Sequence, residues 1–86
     1  MARQLRSEID VVLYTRHGCH LCDQARQLLV QHGLIVKAVD IDQDPSLVDR
    51  YKECVPVVLI DGRERFRGRI NQLLLRRLIT AVERES

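Results

Sequence analysis

The chain has 86 residues, 45% hydrophobic and 30% charged, a length for one domain whose core covers roughly 60% of the unfolded surface. Three aromatic side chains (Tyr14, Tyr51 and Phe66) are too few for a stacking platform on single-stranded nucleic acid, and 14 basic against 12 acidic residues leave a net charge of +2, too balanced to imply a nucleic-acid partner. No apolar run approaches the roughly 18 residues of a membrane span, so no membrane partner is expected, and the apolar content excludes a disordered chain.

The charges are unevenly spread. Arg63, Arg65, Arg67, Arg69, Arg76 and Arg77 gather late, and Asp40, Asp42, Asp44 and Asp49 gather in the middle. The arginine group reads as a solvated face, or as an attraction for a small anionic substrate. Met1 to Glu8 lacks the apolar core and cleavage pattern of a secretory signal and reads as a short polar tail. The expected compartment is therefore cytoplasmic. Thiols there are kept reduced, so the three cysteines suggest chemistry or metal ahead of structural staples.

Ile9 to Thr15 is rich in β-branched residues and reads as a buried strand, broken by Arg16-His17-Gly18. From about Cys19 to His32 the pattern turns helical, with Leu21, Ala25, Leu28, Leu29 and His32 on one face, and Gly33 sits where a left-handed cap would end the helix. His32 reads as a helix-end residue without chemistry. Leu34 to Ile41 is a second strand. Asp44 as N-cap and Pro45 at the first helical position start a short helix that runs to about Glu53.

Val57 to Ile60 is a third strand. Asp61-Gly62 is a two-residue hairpin signal that demands positive φ at both positions, so Arg63 to Arg67 is a fourth, antiparallel strand whose charges suit an edge. After Gly68, a stripe of Ile70, Leu73, Leu74, Leu78, Ile79 and Val82 marks a C-terminal amphipathic helix. The order is βαβαββα. The first strand–helix–strand unit pairs parallel through a right-handed crossover. The expected architecture is α/β: a four-stranded mixed sheet flanked by three helices on both faces.

Cys19-His20-Leu21-Cys22 lies at a strand-to-helix junction. The helix N-terminus offers unpaired N–H groups and a partial positive charge, Arg16 adds a full charge, and His17 and His20 can each carry a proton near neutral pH. These groups favour the Cys19 thiolate. Cys22, one turn further in, is less exposed. The asymmetry makes Cys19 the attacking thiolate and Cys22 the resolving thiol. Inert buried thiols fit less well, because Cys19 precedes the apolar stripe. A metal site could draw on His17, Cys19, His20, Cys22 and Cys54, but a second, well-separated ligand pair is missing, so no resident metal is expected. Covalent haem needs His directly after the second cysteine, where Asp23 stands.

Cys54-Val55-Pro56 leads into the third strand. Pro56 can hold a cis bond, and Val55 could then offer its backbone to an extended substrate as an added strand would. Cys54 is either a filler or a third redox thiol.

With these residues in view, the chain resembles the glutaredoxins of the thioredoxin-fold superfamily, from Val11 to about Val82. Tyr14-Thr-Arg-His-Gly-Cys19-His-Leu-Cys22, Val55-Pro56, Asp61-Gly62, and Gly68 with Asn71 follow the family's pattern. The resemblance implies a thioredoxin-like (glutaredoxin) fold, one such domain over residues 1–86 with residues 1–8 as its tail, Cys19 as nucleophile, Cys22 as resolving cysteine and a cis Pro56. It further implies substrate contacts at Arg16, Val55, Pro56, Gly68 and Asn71. His20-Leu21 stands for the usual Pro-Tyr, Cys54 for Thr, and Arg67 for one glycine of a Gly-Gly pair. Arg16 is placed for a glutathione carboxylate, with Arg67 or Arg69 as possible substitutes.

The expected activity is reduction of protein or mixed disulfides by a monomer, with glutathione as co-substrate and no permanently bound cofactor. Two alternatives stand beside it: a thiolate site for Zn, Cu(I) or an Fe–S cluster, and a redox sensor using Cys54.

Overall fold

A computed structural model of the chain describes residues 6–51 and 55–85. The elements are β1 (Val11–Thr15), α1 (His20–Gln31), β2 (Val36–Asp40), α2 (Pro45–Tyr51), β3 (Val57–Ile60), β4 (Arg63–Arg67) and α3 (Gln72–Glu85). The order matches the sequence reading. The four strands form one mixed sheet in the order β2-β1-β3-β4. β1 runs parallel to β2, with Thr15 opposite Asp40, and antiparallel to β3, with Tyr14 opposite Val57. β3 and β4 are antiparallel, with a register irregularity between Val58 and Leu59.

The alternation of β1 divides the core between the two faces of the sheet. Val11 and Leu13 are buried with Val58, Ile60 and Phe66 beneath Ala25 and Leu29 of α1 and Leu75 and Ile79 of α3. On the other face Ile41, Tyr51 and Val57 are buried, with Tyr14, Leu47 and Val48 packed against them. Thus α1 and α3 cover one face and α2 the other, which is what a strand with apolar residues at both parities requires.

Local chemistry sets the element ends. The C-terminus of α1 closes as a Schellman motif: Gly33, at φ 80°, donates to the Val30 carbonyl at 2.9 Å, and the Leu34 N–H donates to Leu29 at 3.3 Å. Leu34 and Leu29 are both buried in the same cluster, the apolar contact this motif favours. Leu34, read from sequence as strand, therefore belongs to the helix closure. The second strand also ends early. The Asp40 side chain accepts the Asp42 N–H at 2.9 Å and turns Ile41–Gln43 into a short 3-10 helix. Asp61 and Gly62 have φ of 52° and 81°, the hairpin geometry their identities demand.

Two apolar stripes differ from the sequence reading. On α1 the buried residues are Cys22, Ala25 and Leu29, whereas Leu21 is 37% exposed. Cys22 lies three residues before Ala25 and seven before Leu29, so it holds the core position that spacing alone gives equally well to Leu21. On α3, Leu75 and Ile79 are buried, while Leu73 and Leu74 are exposed. Of three consecutive leucines it is Leu75 that is buried, four residues before buried Ile79, with Leu78 and Val82 packed on the same face. Arg6, read as part of a polar tail, is tied down: it donates to the His32 carbonyl at 2.9 Å and pairs with Glu83 at 3.3 Å. Among the described residues no helix is long and apolar enough to cross a membrane.

Candidate functional site

The pairing pattern brings four chain segments to one end of the sheet. Thr15 ends β1 opposite Asp40 at the end of β2, and Val57 begins β3 between Tyr14 and Arg67. The Arg16–Cys19 loop, the Ile41–Gln43 turn, the Val55-Pro56 bend and the Gly68–Asn71 segment all leave the sheet at this end.

Cys19 occupies the N-cap of α1, with extended backbone at φ −91° and ψ 106°. Its Sγ accepts the Cys22 N–H at 3.1 Å, and its carbonyl accepts the Asp23 N–H at 3.2 Å. The sulfur thus takes the place of the oxygen that Ser or Asp places on a helix's first unpaired N–H groups. Cys19 and Cys22 are joined as a disulfide, with Cα atoms 5.2 Å apart. Their burial differs: Cys22 is 2% exposed, and Cys19 is half-buried. An incoming sulfur can reach Cys19 but not Cys22. His17 and His20 are exposed. Among the described residues no group of three or more His, Cys, Asp or Glu side chains gathers as a metal cage. Cys54, the possible third thiol, lies outside the described residues.

The Val55–Pro56 peptide is cis. Pro56 is buried, and its carbonyl accepts the Gly68 N–H at 2.7 Å, which ties the bend to the end of β4. Val55 is half-buried against the Tyr51 cluster. Gly68, Arg69 and Ile70 then face Leu21, Gln24, Ala25 and Leu28 across a groove of about 300 Å³, beginning at the turn that carries the disulfide. Exposed Leu21 forms one wall of this groove, a place the sequence pattern did not give it.

Arg16 is not an open cation. Its Nη2 and Nε donate to the two Asp42 carboxylate oxygens at 2.8 and 3.2 Å. These hydrogen bonds, then the Asp42 charge, hold the guanidinium more firmly protonated than usual, with Asp40 adding to the effect. The signal for this pair is the β1–β2 register, because Thr15 opposite Asp40 sets Arg16 beside the turn that carries Asp42. Of the other cations, Arg67 pairs with Glu64 at 3.0 Å and lies over the Tyr51 ring at 5.9 Å, whereas Arg69 lines the groove.

Asn71 has a structural task. Its Oδ1 accepts the Leu74 N–H at 3.1 Å, and its carbonyl accepts the Leu75 N–H at 2.9 Å, so it caps α3. Asn71→Ala is expected to lower stability by about 1 kcal/mol in denaturant unfolding, and Asn71→Ser to restore most of it. His32 likewise serves a helix end, with Nδ1 at 2.8 Å from the Leu28 carbonyl.

Residues 10–80 match the family described as Glutaredoxin-like domain (DUF836). The chain belongs to this glutaredoxin-like family. A glutaredoxin-like protein of Dictyostelium discoideum is 28% identical over 74 residues, covering 74% of this chain and 68% of that protein. The X-ray structure of the structural-genomics target XcR50 from X. campestris superposes with a TM-score of 0.72 at 37% identity, covering 83% of this chain and 96% of the other. A buckwheat glutaredoxin in complex with glutathione shares the fold at a TM-score of 0.62 and 17% identity, over 94% of this chain and 82% of its own. The glutaredoxin-like chain thus presents a Cys-x-x-Cys pair on a thioredoxin-type redox fold.

Proposed function

We propose that this protein is a thiol–disulfide oxidoreductase of glutaredoxin type, acting on protein or mixed disulfides with glutathione as co-substrate in a thiol-reducing compartment such as the cytoplasm. One observation carries the reading: a reachable sulfur at a helix N-cap, accepting a backbone N–H and bonded to a buried sulfur one turn further in. The N–H groups and the helix dipole favour negative charge on Cys19, and the thiolate is the reactive form. The glutathione held by the buckwheat glutaredoxin supports the choice of co-substrate.

In the reduced protein the Cys19 thiolate attacks one sulfur of a substrate disulfide. The second substrate sulfur leaves as a thiolate and is protonated. Cys22 then loses its proton, attacks Cys19 of the mixed disulfide, and expels the first substrate thiol. Two electrons pass to the substrate, which leaves as two thiols, while the protein retains the Cys19–Cys22 bond. Two glutathione molecules reverse this through a mixed disulfide on Cys19 and leave as glutathione disulfide. In this reading Val55 and Pro56 present backbone beside the reacting sulfurs, Gly68 and the groove receive the flank of the substrate, Asn71 fixes the start of α3, and Arg16, paired with Asp42, borders the site.

The Cys22→Ser protein tests this. Incubated with glutathione disulfide, it is expected to hold one glutathione per chain on Cys19, found by peptide mass mapping and removed by excess glutathione. An adduct confined to Cys54, or none, would overturn the assignment.

A further inference from the structure

We propose that Asp42 sets the thiol selectivity of this site. By holding the Arg16 guanidinium in a two-point ion pair, it withholds that cation from carboxylate-bearing thiols. The inference rests on the redox reading above and deepens it.

Arg16 lies three residues before Cys19 and is the cation that would greet a carboxylate arriving beside that sulfur. Asp42 already engages its Nε and Nη2, the two donors along one edge of the guanidinium, at 3.2 and 2.8 Å. That edge is the one that matches a carboxylate bidentately. The arrangement is built into the fold. The β1–β2 register places the two loops side by side, and the Asp40 side chain, by accepting the Asp42 N–H, fixes the turn that carries Asp42. Asp40 also acts on Arg16 by charge, and Asp44 follows at the end of the same turn. Among the described residues Arg16 therefore faces two carboxylates, Asp42 and Asp40.

The pair is also exchangeable. The Arg16 and Asp42 side chains are 37% and 42% exposed, so a solute carboxylate can reach them, but it must displace Asp42 to bind. An exposed pair of this kind is weak, and it sets a handicap of roughly 1.5- to fivefold for the entering carboxylate. The favoured thiols are neutral, or cationic on the side that meets this turn. A carboxylate fits better across the site, where Arg69 lines the groove.

The test compares reduction of the oxidised protein by glutathione, by glutathione diethyl ester and by dithiothreitol, an uncharged dithiol. The readout is the ratio of the glutathione rate to the diester rate, within each protein. Asp42→Asn is expected to raise that ratio roughly 1.5- to fivefold. Adding Arg16→Gln is expected to return it to the wild-type value, since the gain must pass through the released guanidinium. A ratio unchanged by Asp42→Asn, or a gain that persists without Arg16, would overturn the proposal. The dithiothreitol rate separates the two levels. If dithiothreitol reduces both proteins and the glutathione-to-diester ratio rises in Asp42→Asn, selectivity by Asp42 stands. If glutathione stays ineffective in both proteins while dithiothreitol works, the Asp42 proposal falls and the dithiol remains. A pair that dithiothreitol cannot reduce removes the redox reading and this one with it.

Discussion

Cys19→Ser is expected to lower turnover of a disulfide substrate by about three orders of magnitude or more, as measured by thiol release from a glutathione-linked mixed disulfide. A serine hydroxyl does not ionise at neutral pH, so the attacking thiolate is lost outright. The fold is expected to survive, for a reason specific to this position. Cys19 is the N-cap of α1 and its sulfur accepts the Cys22 N–H. Serine is among the preferred N-cap residues and can accept the same bond with oxygen. The variant thus separates chemistry from helix capping: unfolding midpoints of the two reduced proteins should agree closely while turnover collapses. Retention of a tenth of the wild-type rate would exclude Cys19 as the nucleophile.

Leu29→Ala is expected to produce the largest loss of stability, about 2–5 kcal/mol. Leu29 is fully buried between the sheet and the end of α1. It packs in the same cluster as Leu34, whose N–H closes the helix on the Leu29 carbonyl. Truncation removes apolar contact, leaves a cavity and weakens the Schellman closure together. For a chain of this length total stability is about 4–13 kcal/mol, so the loss is a large share of it. Urea unfolding with an unchanged slope and a lowered midpoint checks the expectation, and a shift under 1 kcal/mol would contradict it.

The element order and the reactive turn were legible in the sequence because their signals are local. Asp61-Gly62 specifies its hairpin through φ alone, Gly33 marks the end of α1, and the two cysteines announce themselves at a strand-to-helix junction. The two helix phases were harder to read. Leu21 and Cys22 compete for one core position, and three adjacent leucines leave α3 without a unique face until packing against the sheet selects Leu75. The site's long-range partners were not legible. Arg16 finds Asp42, and Pro56 finds Gly68, only through strand pairing, which periodicity does not encode. The reading of Arg16 as a waiting carboxylate receptor consequently lacked its occupant.

The central place of β1 has a mechanical consequence. The strand that launches the cysteine loop is hydrogen-bonded along both of its sides, to β2 and to β3, whereas β2 and β4 are each bonded along one. The reactive turn is therefore a tip on a deeply anchored root. Local thermal opening is therefore expected first in the outer strands, away from the root of the cysteine turn.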